Sequence, residues 1–331
     1  MMNMHGPVQY GWVASIRGSV KRLERSCCLL LLLAATAAAK GAEADDRICL
    51  WSIQTATTEL YLLGSIHAVK PDMYPLPEAF ERAYGKADTL VVEVNPYDMQ
   101  PSDLLLMQEK GHYQDGDTIE DNLSPDTLML LHEYLAEEGM SMDSLRTMRP
   151  WLLSMTLAIR QITALGYDPS LGIDIHFLGR ARQAKRILQL ETISEQIGIL
   201  ADDPPHIQEL ILKANLIGLD ETEAMLDVLI DAWKRGDVDE MYSITTMASD
   251  EDPVLDSWLN KLITERNLRM VEKIKGYLST KGSFLVIAGA LHMGGEQGIV
   301  NLLRERYTVT QYGRSSPARV SLAGAQPQQE W

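Results

Sequence analysis

Two histidines in this 331-residue chain sit in the same local setting. Each closes an apolar run that ends in Gly-x-x-His. The first reads Leu60-Tyr61-Leu62-Leu63-Gly64-Ser65-Ile66-His67, and the second Phe284-Leu285-Val286-Ile287-Ala288-Gly289-Ala290-Leu291-His292. Runs of this kind form buried strands, so each imidazole is predicted just past a strand end. In open α/β sheets that edge is where ligands bind. Glycine there lets the backbone turn sharply or approach a ligand closely. Neutral imidazole is the commonest side-chain metal ligand. His67 and His292 therefore predict one site assembled from the two ends of the fold, either binding a divalent metal or positioning water directly.

Two carboxylates fit the same pattern. Glu93 interrupts the apolar run Val91-Val92-Glu93-Val94, where an acid is costly unless paired, protonated or bound to a cation. Glu191 closes the run Ile187-Leu188-Gln189-Leu190 in the same way. Divalent sites combine imidazole with carboxylate, which makes His67, Glu93, His292 and Glu191 the candidate metal ligands. The segment Gly172-Ile173-Asp174-Ile175-His176 adds an acid and a third histidine. Asp174 also suits a helix start, and His176 reads as structural. Arg266 and Asn267 lie on a helix whose apolar side carries Met270 and Ile274.

The elements that must position these groups are legible from periodicity. Residues 48–53 and 59–66 read as a strand hairpin, and Pro77 opens a helix to about Tyr84 with acids near its positive end. The strand 89–94 follows, so that strand, Gly-x-x-His, helix and strand form a βαβ-like unit that favours a parallel pair. Helices are predicted from Ser124 to Leu135, from Pro150 to Leu165 and from Asp174 to Ala184, and then a strand over 186–191. Residues 205–278 read as a helical insertion. The C-terminal unit repeats the first: strand 284–288, Gly-x-x-His, a helix over 295–306 and a strand over 307–312. The fold class is thus α/β, with a central mixed sheet and flanking helices.

The first 44 residues have the grammar of a secretory signal peptide. Basic residues (Arg17, Lys21, Arg22, Arg25) precede an apolar run from Cys27 to Ala39, and either Ala42-Glu43-Ala44 or Ala37-Ala38-Ala39 fits the small-residue pattern of a cleavage site. The run is shorter than the roughly 20 residues of a membrane span. The chain carries a net −16, and residues 1–44 a net +3, leaving −19 on the remainder. A surface so acidic repels nucleic acid and anionic membranes. Of three cysteines only Cys49 lies outside the leader, so no internal disulfide framework is expected. The leader spans 1–44, the folded domain 45–312 and a Ser-, Pro- and Gln-rich tail, predicted to be disordered, 313–331. Phosphate-loop, dinucleotide and Gly-x-Ser-x-Gly motifs are absent.

Taken in order, the two Gly-x-x-His units, the Glu93 strand, Gly-x-Asp-x-His, Leu-Glu-Thr and Arg266-Asn267 resemble the TraB/GumN family. That family includes the pheromone-shutdown proteins and is related to the Tiki metalloproteases and the erythromycin esterase/ChaN-like proteins. The resemblance covers about residues 47–312 and implies an erythromycin esterase/ChaN-like fold. It also implies an exported, periplasmic or secreted hydrolase, a peptidase in the first instance, that depends on Mn, Co or Zn. His67, Glu93, His292 and Arg266 would be its catalytic residues, Glu93 as ligand or general base and Arg266 as stabiliser of developing negative charge. Its substrate would be a peptide or another small amide or ester. Two alternatives stay open: a metal-free esterase, and a protein that sequesters a peptide or small ligand without turnover.

Overall fold

The computed structural model describes residues 47–218, 222–247 and 252–314. The leader and all but the first two residues of the tail lie outside the described residues.

Six strands form one mixed sheet: β1 (Arg47–Gln54), β2 (Thr58–Ser65), β3 (Thr89–Val92), β4 (Arg186–Gln189), β5 (Gly282–Gly289) and β6 (Val309–Gly313). Their order is β4-β3-β5-β2-β1-β6. The β1–β2 hairpin is antiparallel, as its short Thr55–Thr57 connection requires, and β6 closes the far edge antiparallel to β1. The other four strands, β4, β3, β5 and β2, are parallel. Strands covered on both faces read as continuous apolar runs rather than alternating ones. That is the pattern of β2, β3 and β5, whose residues Leu60–Leu63, Leu90–Val92 and Phe284–Ala288 are all buried.

One expectation changes here. The strand before His67 and the strand before Glu93 do not pair; β5 runs between them and bonds to both. The local βαβ pattern could not register a strand arriving 190 residues later. The C-terminal repeat is also looser than its sequence suggests. His292 lies on a 3-10 turn (Ala290–His292), and the following helix is confined to Ile299–Arg304, behind the close-packed glycines Gly294, Gly295 and Gly298.

Helices fill two excursions from the sheet, one holding the helices expected over 124–135, 150–165 and 174–184 and one spanning the helical insertion expected over 205–278. After α1 (Glu78–Lys86), the β3–β4 connection carries α2 (Pro101–Gly111), α3 (Ile119–Asn122), α4 (Pro125–Glu137), α5 (Pro150–Ala164) and α6 (Ile173–Ala181). The β4–β5 connection carries α7 (Ile193–Ala201), α8 (Pro205–Ile217), α9 (Thr222–Lys234), α10 (Val238–Thr246), α11 (Pro253–Leu262) and α12 (Thr264–Leu278). The helix α13 (Ile299–Arg304) precedes β6.

These helices divide between two apolar cores. Helices α1, α6 and α12 cover the sheet through Phe80, Phe177, Met270 and Ile274. Helices α4, α5 and α8 instead form a separate cluster around Leu131, Leu153, Leu157 and Leu212. Each fully buried side chain of this size contributes roughly 1.5–3 kcal/mol. Among the described residues no helix is long and apolar enough to cross a membrane.

Candidate active site

The carboxyl ends of the four parallel strands converge. His67 lies two residues past β2, His292 three past β5, Glu93 directly after β3 and Glu191 two past β4. The ladder continues beyond the strands, with the Leu190 and Glu191 N–H groups donating to the Val92 and Glu93 carbonyls, each at 2.8 Å. That pairing sets the two glutamates side by side. Gly289, in register with Ser65, lies between them and the histidines. A Cβ there would stand 3.1 Å from His67 Nε2 and 3.2 Å from Glu93 Oε1. Only glycine leaves this space open.

Glu93 is the centre of the group. Its Oε1 accepts from the Gly289 N–H, and its Oε2 accepts from Arg266 Nη2 at 2.8 Å. His67 Nε2 faces Oε1 at 3.9 Å, and His292 Nε2 faces Oε2 at 3.8 Å. Burial opposes the charge on Glu93, but the two imidazoles, Arg266 and the Gly289 N–H prevail and hold its pKa down at about 2. Burial pushes His292 itself below its ordinary value.

Both imidazoles are held from behind. The Asn267 amide donates to the Gln297 carbonyl at 2.8 Å, which turns its Oδ1 toward His292 Nδ1, 2.7 Å away. The proton of neutral His292 is therefore on Nδ1, and the Nε2 lone pair looks toward Glu93. His67 Nδ1 lies 2.9 Å from Asp174 Oδ2. Burial lowers the His67 pKa, but the hydrogen bond and charge of Asp174, then the charge of Glu93, outweigh it and raise the group to about 9. Orientation of a histidine through Nδ1 by a carboxylate or carbonyl oxygen is the arrangement that directs Nε2 at a bound ion or substrate.

Arg266 reaches in from the first turn of α12. Its Nε and Nη2 bond to both oxygens of Glu191 at 2.6–3.1 Å, Nη2 also bonds to Glu93, and Nη1 donates to the Leu262 carbonyl at 3.2 Å. Of the five guanidinium N–H groups, four are engaged among the described residues. Glu191 also accepts from Gln196 Nε2 at 3.2 Å, so its oxygens are taken up by the protein. Two buried carboxylates thus share one guanidinium, leaving a net negative charge that favours a cation.

His67, Glu93, Asp174 and Arg266 line a cleft of about 390 Å³, whose walls include Val94, Pro96, Ile199 and Leu262. His67 keeps 59% of its side-chain area open toward it, whereas His292 keeps 8% and stands behind Glu93. Ser65, on the same wall, has a buried Oγ without a hydrogen-bond partner. Among the described residues no three His, Cys, Asp or Glu side chains, as placed, close around a metal position.

The sequence named every residue of this floor, but not how Asp174 and Asn267 serve it. Gly172 has a part of its own that the motif alone does not reveal: a Cβ there would stand 2.5 Å from the His67 carbonyl oxygen and 2.8 Å from Asp174 Oδ1. The Gly-Ile-Asp spacing was the available signal. His176 stays outside the site, bonded to Arg180 (3.1 Å), near Glu81 (3.4 Å) and packed on Tyr74. Cys49 is buried in β1, where its Sγ donates to the Trp233 carbonyl at 3.3 Å.

A sheet whose parallel strand ends carry two Gly-x-x-His histidines around a glutamate defines a class of protein, and comparison identifies it. The model of the TraB/PrgY/gumN family matches residues 49–311, and the chain belongs to that family. It is 28% identical over 245 residues to the uncharacterized protein YbaP of Escherichia coli (strain K12), spanning 74% of this chain and 87% of that protein. The identity and coverage are the same for YbaP of Shigella flexneri. No solved structure gives a significant match.

Proposed function

We propose that this chain is an exported hydrolase of peptide, or related amide or ester, bonds, acting at the floor formed by His67, Glu93, His292 and Arg266. One observation carries the reading: two imidazoles, each held through Nδ1, turn Nε2 toward opposite oxygens of one buried glutamate at the base of a cleft. An erythromycin esterase/ChaN-like arrangement is supported by site residues clustering at the carboxyl ends of parallel strands. Export rests on the leader-like residues 1–44.

The donor set suits a divalent cation such as Mn, Co or Zn. The Nε2 atoms of His67 and His292 with the Glu93 carboxylate would hold it, over the cradle kept open by Gly289, while Glu191 serves as counter-ion to Arg266. When bound, the cation lowers the pKa of attached water and polarises a carbonyl. The chain's own groups supply the rest. In the metal-free alternative His67, protonated up to about pH 9 and open to the cleft, would donate to the leaving group instead of holding a cation. Glu93 stays anionic and orients water. The remaining Nη1 N–H of Arg266 points its charge at a developing oxyanion. Cation binding must displace the His67 proton, so affinity rises with pH.

The test is elemental analysis of the purified protein beside His67→Ala and His292→Ala, followed by cleavage of a peptide library with each metal. Stoichiometric metal and turnover, both lost in both variants, are expected. Turnover that survives both substitutions overturns the site. Capture without turnover is the second reading, favoured by the complete pairing of both Glu93 oxygens with protein donors. Cleavage beyond one equivalent excludes it.

A further inference from the structure

Leu200 is a wall of the cleft. That side chain also lines a second hollow of about 190 Å³, walled by Trp151 and Met155 of α5, Ile211 of α8 and Trp258 of α11. The two spaces share helices as well as a residue. On α11, Leu262 lines the reacting cleft, while Trp258, one turn earlier, lines the annex. The annex is somewhat larger than the roughly 150 Å³ apolar cavity that admits benzene. It is smaller than the roughly 300–1,000 Å³ of a site for a whole cofactor or drug-sized ligand. Its size suits one bulky side chain.

Its polar wall groups already bond to protein. Asn215 Nδ2 donates to Ser154 Oγ at 2.6 Å, and Gln208 Nε2 donates to the Ala201 and Asp203 carbonyls at 3.0 and 2.8 Å. The Asp203 carboxylate pairs with Lys261 at 2.8 Å. An apolar guest displaces water from the indole, thioether and aliphatic surface that Trp151, Trp258, Met155, Leu200 and Ile211 present.

We infer that this annex is a specificity subsite that takes one aromatic or branched aliphatic side chain of a peptide lying across the His67–Glu93 floor. The identity of the annex as part of an active site rests on the hydrolytic reading; its preference for an apolar side chain does not.

Fluorescence anisotropy tests it with the purified full protein. The probes are fluorescein-labelled Gly/Ser pentapeptide amides in which one Phe or one Ala is scanned through the five positions. At one position Phe is expected to bind about tenfold to a hundredfold more tightly than Ala, the scale set by burying one such side chain. Ile211→Trp fills the annex from one wall and Met155→Trp from another, so a folding failure in one leaves the other to decide. Either folded variant should abolish the preference while leaving Ala-peptide binding unchanged. Equal binding of Phe and Ala at every position, or a preference that survives filling, overturns the inference. Preference without turnover of any peptide supports the annex and overturns the hydrolytic reading; turnover without preference does the reverse.

Discussion

The molecule holds two cores of different character, and the reacting floor belongs to only one of them. Around the sheet, strands from both ends of the chain are locked in register, and their carboxyl ends carry Glu93, Glu191 and His67, with Arg266 of α12 reaching in to hydrogen-bond both glutamates. Around α4, α5 and α8, Leu131, Leu153 and Leu212 pack into a core without a buried ion pair of this kind among the described residues. The annex lies at its border with the cleft. Rigid strand ends can hold opposed charges at fixed distances, because β3, β5 and β2 are each held by neighbours on both sides and the edge strand β4 is paired along its length to β3. Helices that meet through apolar side chains adjust their spacing more readily, which suits shape recognition. On the proposed function, chemistry falls to the sheet edge and selection to the helical cap.

Removing the shared guanidinium is the strongest way to break that division. Arg266→Ala leaves Glu93 and Glu191 buried without their cation, a cost of about 3–5 kcal/mol. Urea unfolding should show it as a large fall in midpoint together with loss of turnover. A wild-type midpoint would mean that the floor is not electrostatically coupled.

Leu131→Ala attacks the other core. Leu131 is fully buried among the helices, and its truncation costs about 2–5 kcal/mol. If the two cores are separable, amide exchange should rise across α4, α5 and α8 while the His67 titration stays as in wild type. A change in both would merge the two regions into one cooperative unit.

Gly289→Ala sharpens the account of the floor itself. The added methyl meets His67 Nε2 and Glu93 Oε1 at 3.1 and 3.2 Å. Overpacking of this kind costs about 1–3 kcal/mol, and metal retention should fall with it while Phe-peptide binding in the annex survives.

The smallest effect on stability, and the most specific, is Asp174→Asn. The His67 pKa is raised in the folded protein, from the ordinary 6.5 to about 9. Its contribution to stability is therefore full below about pH 6.5 and is lost as pH rises through about 9. Histidine NMR without added metal should place the His67 midpoint near 9 in wild type and lower in Asp174→Asn. Equal midpoints would remove Asp174 as the cause. Glu93 has the opposite sense: its depressed pKa contributes above the ordinary 4.5, and that contribution fades as pH falls toward about 2.

Local rules made the floor readable in advance. Continuous apolar runs identify strands buried on both faces, glycine marks where the backbone must stay close, and an acid inside such a run needs a partner. Those rules act over a few residues, so His67, His292, Glu93 and Glu191 were all visible. The β1–β2 hairpin and the helices at Pro77, Ser124 and Pro150 were visible too, because each carries its own turn or start signal.

What only the tertiary structure decided is how distant segments meet. Strand periodicity does not encode sheet order, so the entry of β5 between β2 and β3 had no local trace. Helical spacing put Arg266 and Asn267 on one helix but left open that Arg266 would bridge two glutamates while Asn267 fixes the proton on His292. The annex is likewise a gap between α5, α7, α8 and α11, set by how their side chains pack across space. Sequence determined which residues could do chemistry, because burial and backbone freedom are local demands. Tertiary structure decided which nitrogen faces which oxygen, because that depends on distances between elements far apart in the chain.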